Sequence, residues 1–167
     1  MMDKEQTCQF LRDMGIEFER VDHPAVCNMA EMAELALPHP EAEAKNLFLR
    51  DDRREHFFLL TVRGDRRVDL KEFRRARQTR PLRFASEDEL SSLLGLIPGA
   101  VTPLGVLNDD ERRVQVVLDK ELCSYAGLGI HPNDNTATLH VPLPDVLAML
   151  DAHGTPYRFV PMERPEA

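Results

Sequence analysis

Lys45-Asn-Leu-Phe-Leu-Arg-Asp51, Asp52-Arg-Arg-Glu55 and Phe57-Phe-Leu-Leu-Thr-Val62 form two apolar runs around a polar interval, and their reading decides the fold. Each run has strand length and is rich in the branched and aromatic residues that suit a pleated surface. The interval between them is too short for a helical crossover. The pair therefore predicts an antiparallel hairpin with a longer turn, and Lys45 and Asn46 stand at its entrance.

Working outward, Asp69 and Glu72 start a basic helix that Arg80-Pro81 ends. Leu82 to Ala85 is short enough for a strand, and Ser86 with Glu89 boxes another helix, stopped at Gly95. Upstream, Asp3 and Gln6 cap a first helix through about Met14, Ile16 to Glu19 alternates like a strand, and Asn28 with Glu31 opens a short helix running into Pro38 and Pro40. Downstream, Val101 to Leu107 and Val114 to Leu118 around Asn108-Asp-Asp predict a second hairpin. Thr136 to Val141 predicts one more strand, and Pro144 and Gly154 bracket a last helix. These elements interleave without repeats or linkers. The expected fold is α+β: a single domain over residues 1–167 with a mixed, mainly antiparallel sheet flanked by helices.

The composition, 43% hydrophobic and 30% charged, is that of a globular protein. The start has no basic-then-apolar signal, and no apolar run approaches the roughly 20 residues that span a bilayer, so a cytoplasmic chain without a membrane partner is expected. Cys8, Cys27 and Cys123 are too scattered for a disulfide framework or a zinc knuckle, and Pro24 breaks the spacing between His23 and Cys27; no metal is expected. The net charge of −8 argues against a polyanionic partner, but the charge is unevenly distributed. From Arg63 to Arg83 basic residues far outnumber Asp65, Asp69 and Glu72. Arg63, Arg66, Arg67, Lys71, Arg74 and Arg75 could meet an RNA backbone, and a merely solvated basic helix is an equal alternative.

The chain contains no nucleophile elbow, phosphate-binding loop or zinc-protease motif. What remains are polar loops: Lys45-Asn46, Pro98-Gly-Ala-Val-Thr-Pro-Leu-Gly105 and His131-Pro-Asn-Asp-Asn-Thr-Ala-Thr138. Together with Thr61-Val-Arg-Gly64, these motifs resemble, in order and spacing over nearly the whole chain, the YbaK/ProX family of aminoacyl-tRNA deacylases. Within it they are most similar to the free-standing, prolyl-tRNA-synthetase-associated branch that edits Ala-tRNA(Pro). The resemblance implies a barrel-like sheet, no cofactor, proline tRNA as partner with prolyl-tRNA synthetase as a further one, no DNA, and hydrolysis of a mischarged aminoacyl ester.

It also implies site residues, each of which has a plainer reading. Lys45 would hold the 3′ end by charge, where a lone lysine is ordinarily solvated. The N–H groups of Gly99 and Ala100 would face the developing oxyanion, where the plain reading is a turn. Asn46, Thr102, His131, Asn135 and Thr136 would line the pocket, and a structural histidine held by backbone is an equal reading of His131. Met29, Met32 and Ala33 would form the wall against a methyl side chain, where a Met stripe is usually core. A synthetase pocket built for proline admits the smaller alanine, so a second, smaller pocket is needed to remove it. Deacylation of Cys-tRNA(Pro) or of a tRNA carrying another small amino acid, a non-catalytic tRNA- or synthetase-binding module, and a domain with no tRNA role are the competing readings.

Overall fold

The computed structural model describes residues 1–162 apart from Cys27, Ala36, Asp65 and Arg66, and nothing of the Met29 side chain. Two sheets form its frame. The larger, in the order β4-β2-β3-β5-β8, contains β2 (Ala44–Asp51), β3 (Phe57–Arg63), β4 (Leu82–Phe84), β5 (Val114–Asp119) and β8 (Tyr157–Val160). The smaller, β1-β7-β6, contains β1 (Glu19–Asp22), β6 (Gly127–Ile130) and β7 (Ala137–Pro142). Among the described residues five α-helices accompany them: α1 (Lys4–Asp13), α2 (Met29–Glu34), α3 (Leu70–Arg77), α4 (Glu87–Leu94) and α5 (Leu143–His153).

The first hairpin forms as expected, with Ala44 opposite Arg63 and Phe48 opposite Leu59. Strand alternation then sorts its apolar residues. Phe48 and Leu59 enter the main core with Val116 and Leu118 of β5, Leu128 and Ile130 of β6, Leu139 and Val141 of β7, and Val146, Met149 and Leu150 of α5. Leu49 and Leu60 point to the other face, where Phe73 of the basic helix α3 covers them together with Val117 and Val160.

The second hairpin does not form. Residues Pro103–Asn108 wind into a buried 3-10 helix instead, capped by the Thr102 hydroxyl, which accepts from the Leu104 N–H at 3.3 Å. Pro103 lacks the N–H that a ladder would use, and a Cβ on Gly105 would come within 2.6 Å of Leu96 Cδ1, so the segment packs tightly against the end of α4. Buried Asp109 accepts from the N–H groups of Arg113 (3.1 Å) and Val114 (2.9 Å) and turns the chain into β5. β5 runs parallel to β3 on one side and to β8 on the other, an arrangement that needs crossovers rather than turns.

The sheet is thus antiparallel in its β4-β2-β3 half and parallel beyond it. The two sheets meet at one isolated bridge, Glu43 to Gly129, and do not close into a barrel. Among the described residues, no helix is long and apolar enough to cross a membrane.

Candidate active site

The bridge between the sheets brings the start of β2 beside the end of β6. A cavity of about 160 Å³ opens there, lined by Val26, Asn28, Met32, Ala44, Lys45, Asn46, Gly99, Val101 and His131. Four separate segments meet in it: the approach to α2 and its second turn, the hairpin entrance, the Pro98–Val101 loop and the end of β6. Its lining offers one histidine and no carboxylate, a donor set unsuited to holding a divalent cation.

Lys45 and Asn46 are half-buried on β2, and the Thr61 hydroxyl donates to Asn46 Oδ1 at 2.6 Å across the hairpin. Gly99 adopts φ +86°, in the left-handed region where a side chain is strained. The Ala100 N–H donates to the Ile97 carbonyl at 3.1 Å and closes that turn. Of the two loop amides expected to face one oxygen, that of Ala100 is thus engaged within the turn.

His131 is held by its Nδ1, which lies 2.9 Å from the Ala137 carbonyl. A carbonyl only accepts, so Nδ1 carries the proton and Nε2 is the acceptor in the neutral ring. Burial, together with nearby His23, pushes the imidazole below its ordinary pKa, and the bond to Ala137 opposes this only in part. The His23 ring stands edge-on to it at 6.2 Å and is itself tied to the Thr138 hydroxyl at 2.8 Å.

The remaining expected pocket residues support the cavity from outside. Thr102 is fully buried and caps the 3-10 helix. Asn135 donates from Nδ2 to the Val26 carbonyl at 2.9 Å, while the Val26 N–H returns to the Asn135 carbonyl at 3.4 Å, so Asn135 props a residue of the cavity wall. Thr136 hydrogen-bonds Asp134 and receives Lys4 Nζ at 2.8 Å. Met32 does line the wall; the backbone of Met29 opens α2, and its side chain lies outside the described residues, as do Arg66 and Cys27. Val26, Asn28, Ala44 and Val101 are wall residues that sequence reasoning missed. Asn28 was legible only as the cap it also is, accepting from the Glu31 N–H at 2.9 Å.

The chain leaves β3 at the Ala44–Arg63 pair, beside the cavity, and enters α3, whose far end lies at the β2–β3 turn where Arg80 pairs with Asp52 at 2.7 Å. Arg63 pairs with Glu121 (2.7 Å) and Arg75 with Glu72 (3.1 Å). Arg67, Lys71 and Arg74 are exposed. A larger cleft of about 510 Å³ lies on another part of the surface, where Asp88, Glu89, Asp110 and Glu111 give it a charge unsuited to a phosphate backbone.

Comparison with known proteins gives a consistent result. The model of the aminoacyl-tRNA editing domain family matches residues 23–149. A prolyl-tRNA editing protein, ProX, of Acetoanaerobium sticklandii is 35% identical, over 90% of this chain and 92% of its own length. Prolyl-tRNA synthetase associated domain-containing protein 1 of Danio rerio is 37% identical over 86% of this chain and 78% of its own. A crystal structure presented as a candidate trans-editing enzyme for prolyl tRNA synthetase shares the fold at a TM-score of 0.74, with 21% identity and 99% coverage of both chains.

Proposed function

The chain belongs to the aminoacyl-tRNA editing domain family, and from that premise we propose that it removes wrongly attached alanine from proline tRNA by hydrolysing the ester at the 3′ end. The observation that carries this reading is the convergence of Lys45, Asn46, Gly99 and His131 on one small cavity. At about 160 Å³ it is smaller than the roughly 300–1,000 Å³ of pockets for drug-sized ligands, and it suits a short aminoacyl group at the tip of a long polyanion.

In this reaction Lys45 holds the terminal phosphate or ester region by charge. The Gly99 N–H polarises the ester carbonyl, and the positive φ lets the backbone approach the substrate without an intervening Cβ. An aminoacyl ester is already activated, so positioning plus one such donor accounts for turnover: a water, oriented by the neighbouring ribose hydroxyl, adds to the carbonyl, the acyl C–O bond breaks, and the ribose oxygen leaves with the proton. His131 offers its Nε2 lone pair to that hydroxyl. Met32 and Val26 limit the side chain to alanine size. Arg63, Arg67 and Lys71, at the cavity end of the basic segment, receive the acceptor stem. Such a substrate places the protein in the cytoplasm, with prolyl-tRNA synthetase as the source of the error it corrects.

Single-turnover hydrolysis of Ala-, Cys- and Pro-tRNA(Pro) by the native chain and Lys45→Ala tests the proposal. Fastest release of alanine, sparing of proline and loss of activity in the variant are expected. Preference for cysteine would move the substrate within the family; no cleavage above the blank would leave a binding module.

A further inference from the structure

Away from the cavity, three side chains from distant parts of the sequence meet at the β1–β7 pair. Glu19 and His140 stand directly opposite one another in the antiparallel register, so both rise from the same face. His39 reaches over them from the loop before β2. It is held at φ 59°, ψ 53°, a conformation uncommon outside glycine, and its carbonyl accepts from the Ala42 N–H at 3.0 Å. Its ring stacks on that of His140, centroids 4.1 Å apart, and its Nε2 lies 3.1 Å from both carboxylate oxygens of Glu19. One ligand atom from each of the three residues lies within 4.8 Å of the other two.

We propose that Glu19, His39 and His140 form a binding site for a divalent transition metal of the zinc class, with water completing the coordination. Bonds of about 2.0–2.2 Å at tetrahedral angles put neighbouring ligand atoms roughly 3.3–3.6 Å apart, and His39 Nε2 lies 3.1 Å from Glu19 Oε1. His140 offers a ligand nitrogen within 4.8 Å of both. On the far side of His39, Glu41 Oε1 lies 3.7 Å from Nδ1, within ion-pair reach but too far for a hydrogen bond. Two imidazoles and one carboxylate favour zinc, nickel or copper over magnesium or calcium, which prefer all-oxygen sites. The cleft between them measures about 20 Å³, room for an ion with a water and for no organic ligand.

Glu43 and Gly129 line the same cleft and form the bridge between the sheets. A metal there fastens the loop that carries His39 to β1 and β7, just ahead of Lys45. Its role is that of a clamp, not a reacting group, and it stands whether or not the ester is the substrate.

The test uses the full chain stripped with a chelator and titrated with zinc against a chromophoric competitor. One equivalent should bind with micromolar or tighter affinity, and Glu19→Gln and His140→Ala should each weaken it at least tenfold. Zinc, and not magnesium, should raise the melting temperature of the native chain but not of the variants. Glu19→Gln keeps the side-chain shape, and melting in chelator confirms that each variant is folded. His23→Ala should bind as the native chain does. Absence of stoichiometric zinc, or equal affinity in native chain and both variants, would reduce the cluster to an ion pair under a stacked histidine and overturn the proposal.

Discussion

At the scale of single residues, the decisive feature of the cavity is backbone geometry. Gly99→Ala adds a methyl group at φ +86°, a strain of about 1–2 kcal/mol, and should lower the melting midpoint by a few degrees. Because the same turn aims the proposed donor, single-turnover deacylation should fall at least tenfold; an unchanged rate would remove Gly99 from the reaction. His131 carries a pH prediction. Its folded pKa is depressed, so the unfolded chain binds the proton more readily as pH falls below the ordinary imidazole value of about 6.5. Stability contributed by the neutral ring is complete above that pH and declines below it. His131→Gln should flatten part of the acid limb in denaturant melts followed from pH 7.5 to 5. The motif residues were legible by position in the sequence, but their division of labour was not. Thr102, Asn135 and Thr136 sit in the expected loops, yet each spends its polar atoms on a cap, a prop or a turn, as only the three-dimensional partners reveal.

At the scale of elements, local chemistry was the most readable layer. Ser86 and Glu89 form the reciprocal capping box expected of them, and Glu89 also receives Arg50 Nε at 2.9 Å with both side chains largely buried. Ser86→Ala should therefore cost about 1 kcal/mol in a denaturant melt. The α3 surface predicts a binding signature instead. Lys71→Glu with Arg74→Glu should weaken tRNA binding, flatten its dependence on log salt by roughly two phosphate contacts, and leave the single-turnover rate at saturation unchanged. An unaltered salt slope would return α3 to an ordinary solvated helix. The hairpin assigned to residues 101–118 failed for a physical reason. Apolar alternation does not distinguish a strand from a buried 3-10 segment, and nothing local announces that β5 pairs with strands far away in sequence. Gly127-Leu-Gly-Ile130 and Tyr157-Arg-Phe-Val160 were missed for the same reason: four-residue strands supported by their neighbours give little signal of their own.

At the scale of the whole molecule, the main core joins residues of α1, α4 and α5 and of both sheets. We propose that residues 1–167 behave as one domain, so calorimetry should show a single transition. Leu59→Ala, a fully buried truncation at the centre of β3, should lower its stability by about 2–5 kcal/mol without splitting that transition. The α+β class could be read from the interleaving of elements, whereas the open seam between the sheets could not, because the bridge that makes it involves a single residue pair. The placement of β5 has a consequence in time. It lies between β3 and β8, and β8 follows it in the chain only after α5, so during synthesis β5 emerges from the ribosome and waits with one edge bare. Until Tyr157 to Val160 arrives, that edge of the nascent polypeptide is a template for pairing with other chains.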